Sequence, residues 1–70
     1  MKPIEINRQP IELYKLLKFE GLASSGGEAK MIIGNGLVML NGAVETRKRK
    51  KIVSGDVVEF AGERFLIQLV

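Results

Sequence analysis

The chain has 70 residues, 46% hydrophobic and 27% charged, enough apolar material for one small folded domain and too much for a disordered polymer. It contains no cysteine and no histidine, which excludes disulfides, thiolate metal sites and imidazole acid–base chemistry. The net charge of +3 is unevenly distributed: without residues 47–51 the chain carries six basic and eight acidic side chains.

No apolar run approaches the roughly 20 residues that cross a bilayer. The opening MKPIEINRQP lacks the apolar segment of a secretory signal. A cytoplasmic protein is the expectation. In chain order, PIEI (3–6) alternates weakly and predicts a short strand. Pro10 suits the first turn of a helix, where a missing N–H costs nothing. IELYKLLKFEG (11–21) then puts Leu13, Leu16 and Leu17 on one helical face, and Gly21 provides a stop. A second helix is predicted within SSGGEAKMIIGNG (24–36). Its capping box pairs Ser25 with the N–H of Glu28, and Glu28 with the N–H of Ser25. Ala29, Ile32 and Ile33 form its buried stripe, Lys30 projects from another face, and Asn35-Gly36 ends it. Gly26 and Gly27 lower helix propensity, which suggests that another backbone or a ligand comes close to this helix start.

LVMLNGAVE (37–45) reads as strand, turn and strand, because Asn-Gly supplies the positive φ angles of a type I′ hairpin. Val38 and Leu40 share one strand face. The run Arg47, Lys48, Arg49, Lys50 and Lys51 follows directly. Drawn as a strand, it places Arg47, Arg49 and Lys51 on one side and Lys48 and Lys50 on the other. SGD (54–56) marks a turn, VVEF (57–60) a strand, Ala61-Gly62 a turn and ERFLIQLV (63–70) a last strand with Phe65, Ile67 and Leu69 on one face. The elements predict a single α+β domain over residues 1–70, with two short helices packed on a small, mostly antiparallel sheet.

LYKLLKFEGLASSGGEAKMIIGNGLVMLNG (13–42) and SGDVV (54–58) resemble, in order and spacing, the RNA-binding domain named after small-subunit ribosomal protein four, the S-four domain. NGAVETRKRKKIVSGD (41–56) together with SGGEAK (25–30) is closer still to a stand-alone bacterial subgroup, the YbcJ-like proteins. The resemblance implies an alpha-L-type RNA-binding motif. It also implies RNA contacts from the start of the second helix and the adjoining basic strand and loop. On this chain those contacts fall on Ser25, Gly26, Lys30, Arg47, Lys48, Arg49, Lys50 and Lys51. Family members often carry Arg near the start of helix two. Ser24, Gly26 and Gly27 stand there here, so backbone N–H groups and Lys30 take over that part.

The expected function is non-enzymatic recognition of structured RNA, ribosomal or transfer, with ribosome or RNA-maturation proteins as further partners. No membrane partner, no cofactor and no metal is expected, and the chain is read as a monomer. Arg and Lys would neutralise phosphates, and the free N–H groups at the start of helix two would hold one more. The four aromatics, Tyr14, Phe19, Phe60 and Phe65, make no exposed pair on one strand face, and Phe60 and Phe65 are read as core. Ser24 and Ser25 are read as caps, since no histidine can activate a hydroxyl. Asp56 is a turn residue. The competing reading is a protein-interaction module whose basic segment docks an acidic partner protein.

Overall fold

The computed structural model describes all 70 residues. In chain order the elements are β1 (Lys2–Ile6), β2 (Ile11–Glu12), α1 (Leu13–Phe19), α2 (Gly26–Gly34), β3 (Val38–Leu40), β4 (Ala43–Val44), β5 (Lys51–Ile52), β6 (Val57–Phe60) and β7 (Glu63–Leu69). Five strands form one sheet in the order β1-β7-β6-β3-β4, and β2 pairs with β5 alone. Only β1 and β7 run parallel, with Ile4 opposite Ile67; the remaining pairs are antiparallel. The architecture is α+β with a mostly antiparallel sheet.

Both helices end as their sequences dictate. In α1, Gly21 takes φ +72°, the Leu22 N–H donates to the Leu17 carbonyl and the Gly21 N–H to that of Lys18. In α2, Gly36 takes φ +75°, Leu37 donates to Ile32 and Gly36 to Ile33. Each is a Schellman motif, in which a left-handed glycine turns the chain so that two orphan carbonyls find donors. Asn41 and Gly42 adopt φ +50° and +86° and close the β3–β4 hairpin. The Asn41 side chain also ties this hairpin to the SGD turn, accepting from the Val57 N–H and donating to Asp56. Asp56 in turn accepts from the Val53 N–H, the local bond that makes it a turn residue.

The helices and the sheet enclose one apolar core. Leu13, Leu16 and Leu17 of α1, Ala29 and Ile33 of α2, and Val38, Ile52, Val58, Phe65 and Ile67 from the strands are all buried in it. Ile32, Phe60 and Tyr14 pack against its margin, half buried.

Three expectations need correction. Helix α1 begins at Leu13, not at Ile11, and Pro10 lies outside it. Ile11 and Glu12 are drawn into register with Ile52 and Lys51, so a long-range strand pairing overrides the local helical pattern. Leu69 does not share the burial of Phe65 and Ile67: it lies beyond the end of β6, beside β1 alone, and is exposed. The basic run is not a strand, as described next.

Candidate nucleic-acid interface

Arg47 to Lys50 form a turn, closed by the Lys50 N–H donating to the Arg47 carbonyl at 3.2 Å. Strand alternation therefore does not apply to residues 47–50, and only Lys51 enters a strand. The turn has a structural partner. A helix start leaves its first N–H groups without intrahelical acceptors. In α1 the Leu13 N–H donates to the Lys50 carbonyl at 2.9 Å and the Tyr14 N–H to the Lys48 carbonyl at 3.0 Å. Glu12, the residue before the helix, makes no side-chain cap. The backbone of the basic turn caps α1 in its place. Like charges that would otherwise drive the segment apart are held by these bonds and by the β2–β5 pairing.

A second tie comes from Glu45, which is 8% exposed although charged. Its carboxylate accepts from the Arg47 backbone N–H at 2.9 Å, from Arg47 Nε at 2.9 Å and from Arg47 Nη2 at 3.0 Å. The Arg47 side-chain hydrogen bonds, seconded by the backbone one, hold the Glu45 carboxyl down at about 2, and the same pairing raises the Arg47 guanidinium. One edge of the Arg47 fork is thus committed inside the protein. Its side chain is still 70% exposed, and the remaining guanidinium N–H groups face water.

At the start of α2, Ser25 is the N-cap, and its Oγ accepts from the Glu28 N–H at 3.1 Å. The other half of the expected capping box is displaced by one residue. Glu28 Oε1 accepts from the Ser24 N–H at 3.1 Å, and Oε2 from the Ser24 hydroxyl at 2.8 Å. Ser24 satisfies both carboxylate oxygens at once, whereas the Ser25 N–H offers one donor. These bonds lower the Glu28 carboxyl below its ordinary range. The helix start therefore carries a negative charge beside the Gly26 and Gly27 N–H groups, an electrostatic cost for any phosphate that approaches them.

Tyr14 joins the two parts. Its backbone is bound to Lys48, and its ring lies beside Gly26, where an added Cβ would stand 3.7 Å away. The Lys30 ammonium lies 4.6 Å from the ring centroid, within cation–π range. Four residues on, a Cβ at Gly34 would come within 3.3 Å of Lys48 Cε. Gly26, Lys30 and Gly34 are spaced by four and line one side of α2. No backbone comes close to Gly26 or Gly27, where the expectation placed one; the tight contact is at Gly34, near the other end of the helix, where the Lys48 stem crosses it. Gly27 meets only the Ser25 hydroxyl, at 3.9 Å from its added Cβ.

Of the sequence-predicted residues, Gly26, Lys30 and Lys48 are brought together around Tyr14, with Arg47 and Arg49 on the same turn. Arg49 is exposed and makes no ion pair, and Lys50 is half buried. Ser25 lies next to this group at the helix end. Lys51 does not join it: it sits opposite Glu12 and lines a groove of about 710 Å³ with Glu5, Lys15 and Phe19. Lys15 pairs with Glu12 at 3.3 Å. Sequence reasoning missed three residues here, Tyr14 as the hinge of the site, Glu45 as the clamp on Arg47, and Gly34. For Glu45 a signal existed, an acid two positions before the basic run; for Tyr14 and Gly34 none did. No group of three acidic side chains is placed to hold a metal, and no helix is long and apolar enough to cross a membrane.

Two helices set against a β-hairpin and a basic turn define an S4-type module, and the chain belongs to the S4 domain family, which it matches over residues 4–68. It is 51% identical over 63 residues to YbcJ of Escherichia coli (strain K12), provisionally named an RNA-binding protein, a match that covers 89% of this chain and 90% of that one. It is 37% identical over 60 residues to RlbA of Bacillus subtilis (strain 168), provisionally named a ribosome maturation protein, over 86% and 84% of the two chains. The solution structure of YbcJ from E. coli, described as revealing an ALFAL motif involved in RNA binding, matches with a TM-score of 0.72. The identity there is 46%, over 97% of this chain and 87% of that one.

Proposed function

We propose that the chain is a cytoplasmic, monomeric, single-domain protein that binds structured RNA, ribosomal or transfer, through the basic turn and the Tyr14-facing side of α2. The observation that carries this reading is the backbone anchoring of the turn. Lys48 and Lys50 cap α1 through their carbonyls, so their ammonium groups and the Arg49 guanidinium project from a fixed frame. A frame of fixed cations recognises a particular arrangement of phosphates, which a folded RNA presents and a flexible polyanion does not. Lys30, Lys48 and Arg49 supply the main phosphate contacts, and Arg47 adds its outward N–H edge. Ser25 and Gly26 contribute backbone and hydroxyl contacts at the edge of the site, and Lys51 adds charge from the neighbouring face. With about four phosphates neutralised, log K falls with log salt at a slope of about −3. The likeness to YbcJ and RlbA supports RNA as the partner and ribosome or RNA maturation as the setting.

The test is competition. Labelled total bacterial tRNA bound to the protein is displaced by a folded rRNA fragment, by duplex DNA and by heparin, matched in charge concentration. The proposal expects folded RNA to compete at the lowest concentration. Equal competition by all three would reduce the site to a generic polyanion patch and put an acidic partner protein ahead of RNA.

A further inference from the structure

We infer that Glu45 is a positioning residue that sets RNA selectivity by clamping Arg47 and the basic turn, an inference that rests on the RNA-binding reading above. A carboxylate next to a cation cluster should weaken polyanion binding, and a site built for affinity alone would not keep one. Yet Glu45 is the one buried charged residue of the chain, and its two oxygens take three hydrogen bonds from a single neighbour. Its own N–H donates to the Val38 carbonyl at 2.9 Å, and Val38 is fully buried in the core. Arg47 then accepts from Lys50, and Lys48 and Lys50 accept from α1. The result is a continuous path of hydrogen bonds from the sheet through Glu45 to the turn and on to the first helix.

Two consequences follow from that geometry. The clamp fixes the plane of the Arg47 guanidinium and leaves one edge outward, so Arg47 meets phosphate at a set angle rather than as a mobile charge. It also removes one unit of free positive charge, trading general attraction for orientation. Release of the clamp should therefore move two affinities in opposite directions. Attraction to a flexible polyanion rises, because a net charge is gained. Fit to a folded RNA falls, because Arg47 and the turn lose their frame.

The experiment compares wild type, Glu45→Gln and Arg47→Lys in binding to total bacterial tRNA and to heparin at two salt concentrations, each variant held well below its melting temperature. Glu45→Gln should bind heparin about threefold tighter at low salt, with a salt slope steeper by about 0.7–0.9. It should bind tRNA about fivefold more weakly, the loss expected from one hydrogen bond of ordinary net strength, about 1 kcal/mol. Arg47→Lys keeps the charge but not the fork, so it should lose tRNA affinity and leave heparin unchanged. Parallel tightening toward both ligands in Glu45→Gln, or a tRNA preference that survives both variants, overturns the positioning role alone. Equal wild-type affinity for tRNA and heparin overturns the RNA reading, and this inference with it.

Discussion

Replacing Glu45 by Gln should destabilise the fold at neutral pH and leave it unchanged in strong acid. The carboxyl ordinarily ionises near 4.5 and here does so at about 2, because Arg47 donates to it from side chain and backbone. At 1.36 kcal/mol per pH unit, that gap corresponds to about 3 kcal/mol at full strength. The Arg47 side chain is 70% exposed, so solvent screening reduces the net contribution to about 1 kcal/mol. The folded value is depressed, so the sign is fixed. The contribution is complete above pH 4.5 and disappears as pH falls toward 2. For a domain of this size, about 1 kcal/mol moves Tm by roughly 4–8 °C. Thermal melts of wild type and Glu45→Gln at pH 7, 5, 3 and 2 measure it. The gap should be widest at pH 7 and 5 and close by pH 2. The depressed Glu28 carboxyl is present in both proteins and cancels from the difference. Equal stability at pH 7 would refute the clamp, and a gap that persists unchanged at pH 2 would assign the loss to packing rather than to the ion pair.

Ser25→Ala removes the acceptor for the Glu28 N–H and should cost about 1 kcal/mol in a urea melt, while Ser25→Asp should retain most of it. Ala61 takes φ +54° in the β6–β7 turn, a conformation costly to most side chains but tolerated by Asn. Ala61→Asn should therefore raise stability by about 1 kcal/mol, and a decrease would contradict the strain argument. Neutralising Arg47, Arg49 and Lys51 together should weaken RNA binding and flatten its salt slope by about 2, with the fold kept but less stable because Glu45 loses its partner; undiminished affinity in the folded variant would place the basic turn outside the site. Lys30→Ala should weaken RNA binding as well, and undiminished affinity would place α2 outside the site.

Much of the fold was legible because its signals are local. Asn41-Gly42 needs left-handed backbone, Gly21 and Gly36 end helices that need left-handed glycine, and Ser25 lies three residues ahead of the N–H that it caps. The start of α1 was not legible, because Ile11 and Glu12 are claimed by a strand 40 residues away in sequence. The cation cluster was visible as composition, but its shape was not. Nothing in ETRKRKK states that its carbonyls cap a helix, that one arginine is clamped, or that Lys51 lines a groove with Glu5, Lys15 and Phe19. Those facts depend on where the Tyr14 backbone and the core-bound Val38 lie. The anion site expected at the start of α2 shares its place with the Glu28 carboxylate held by Ser24. The capping carboxylate that marks a helix start also brings a negative charge to it.

The most direct test of the RNA-binding claim is to follow backbone amide shifts while total bacterial tRNA is titrated in at two salt concentrations. The account predicts perturbations at Gly26, Lys30 and residues 47–50, with Tyr14 and Gly34 moving in step with them and all of them smaller at high salt. Perturbations confined to residues 47–51 and reproduced by heparin would contradict a composite site and leave only a charged turn.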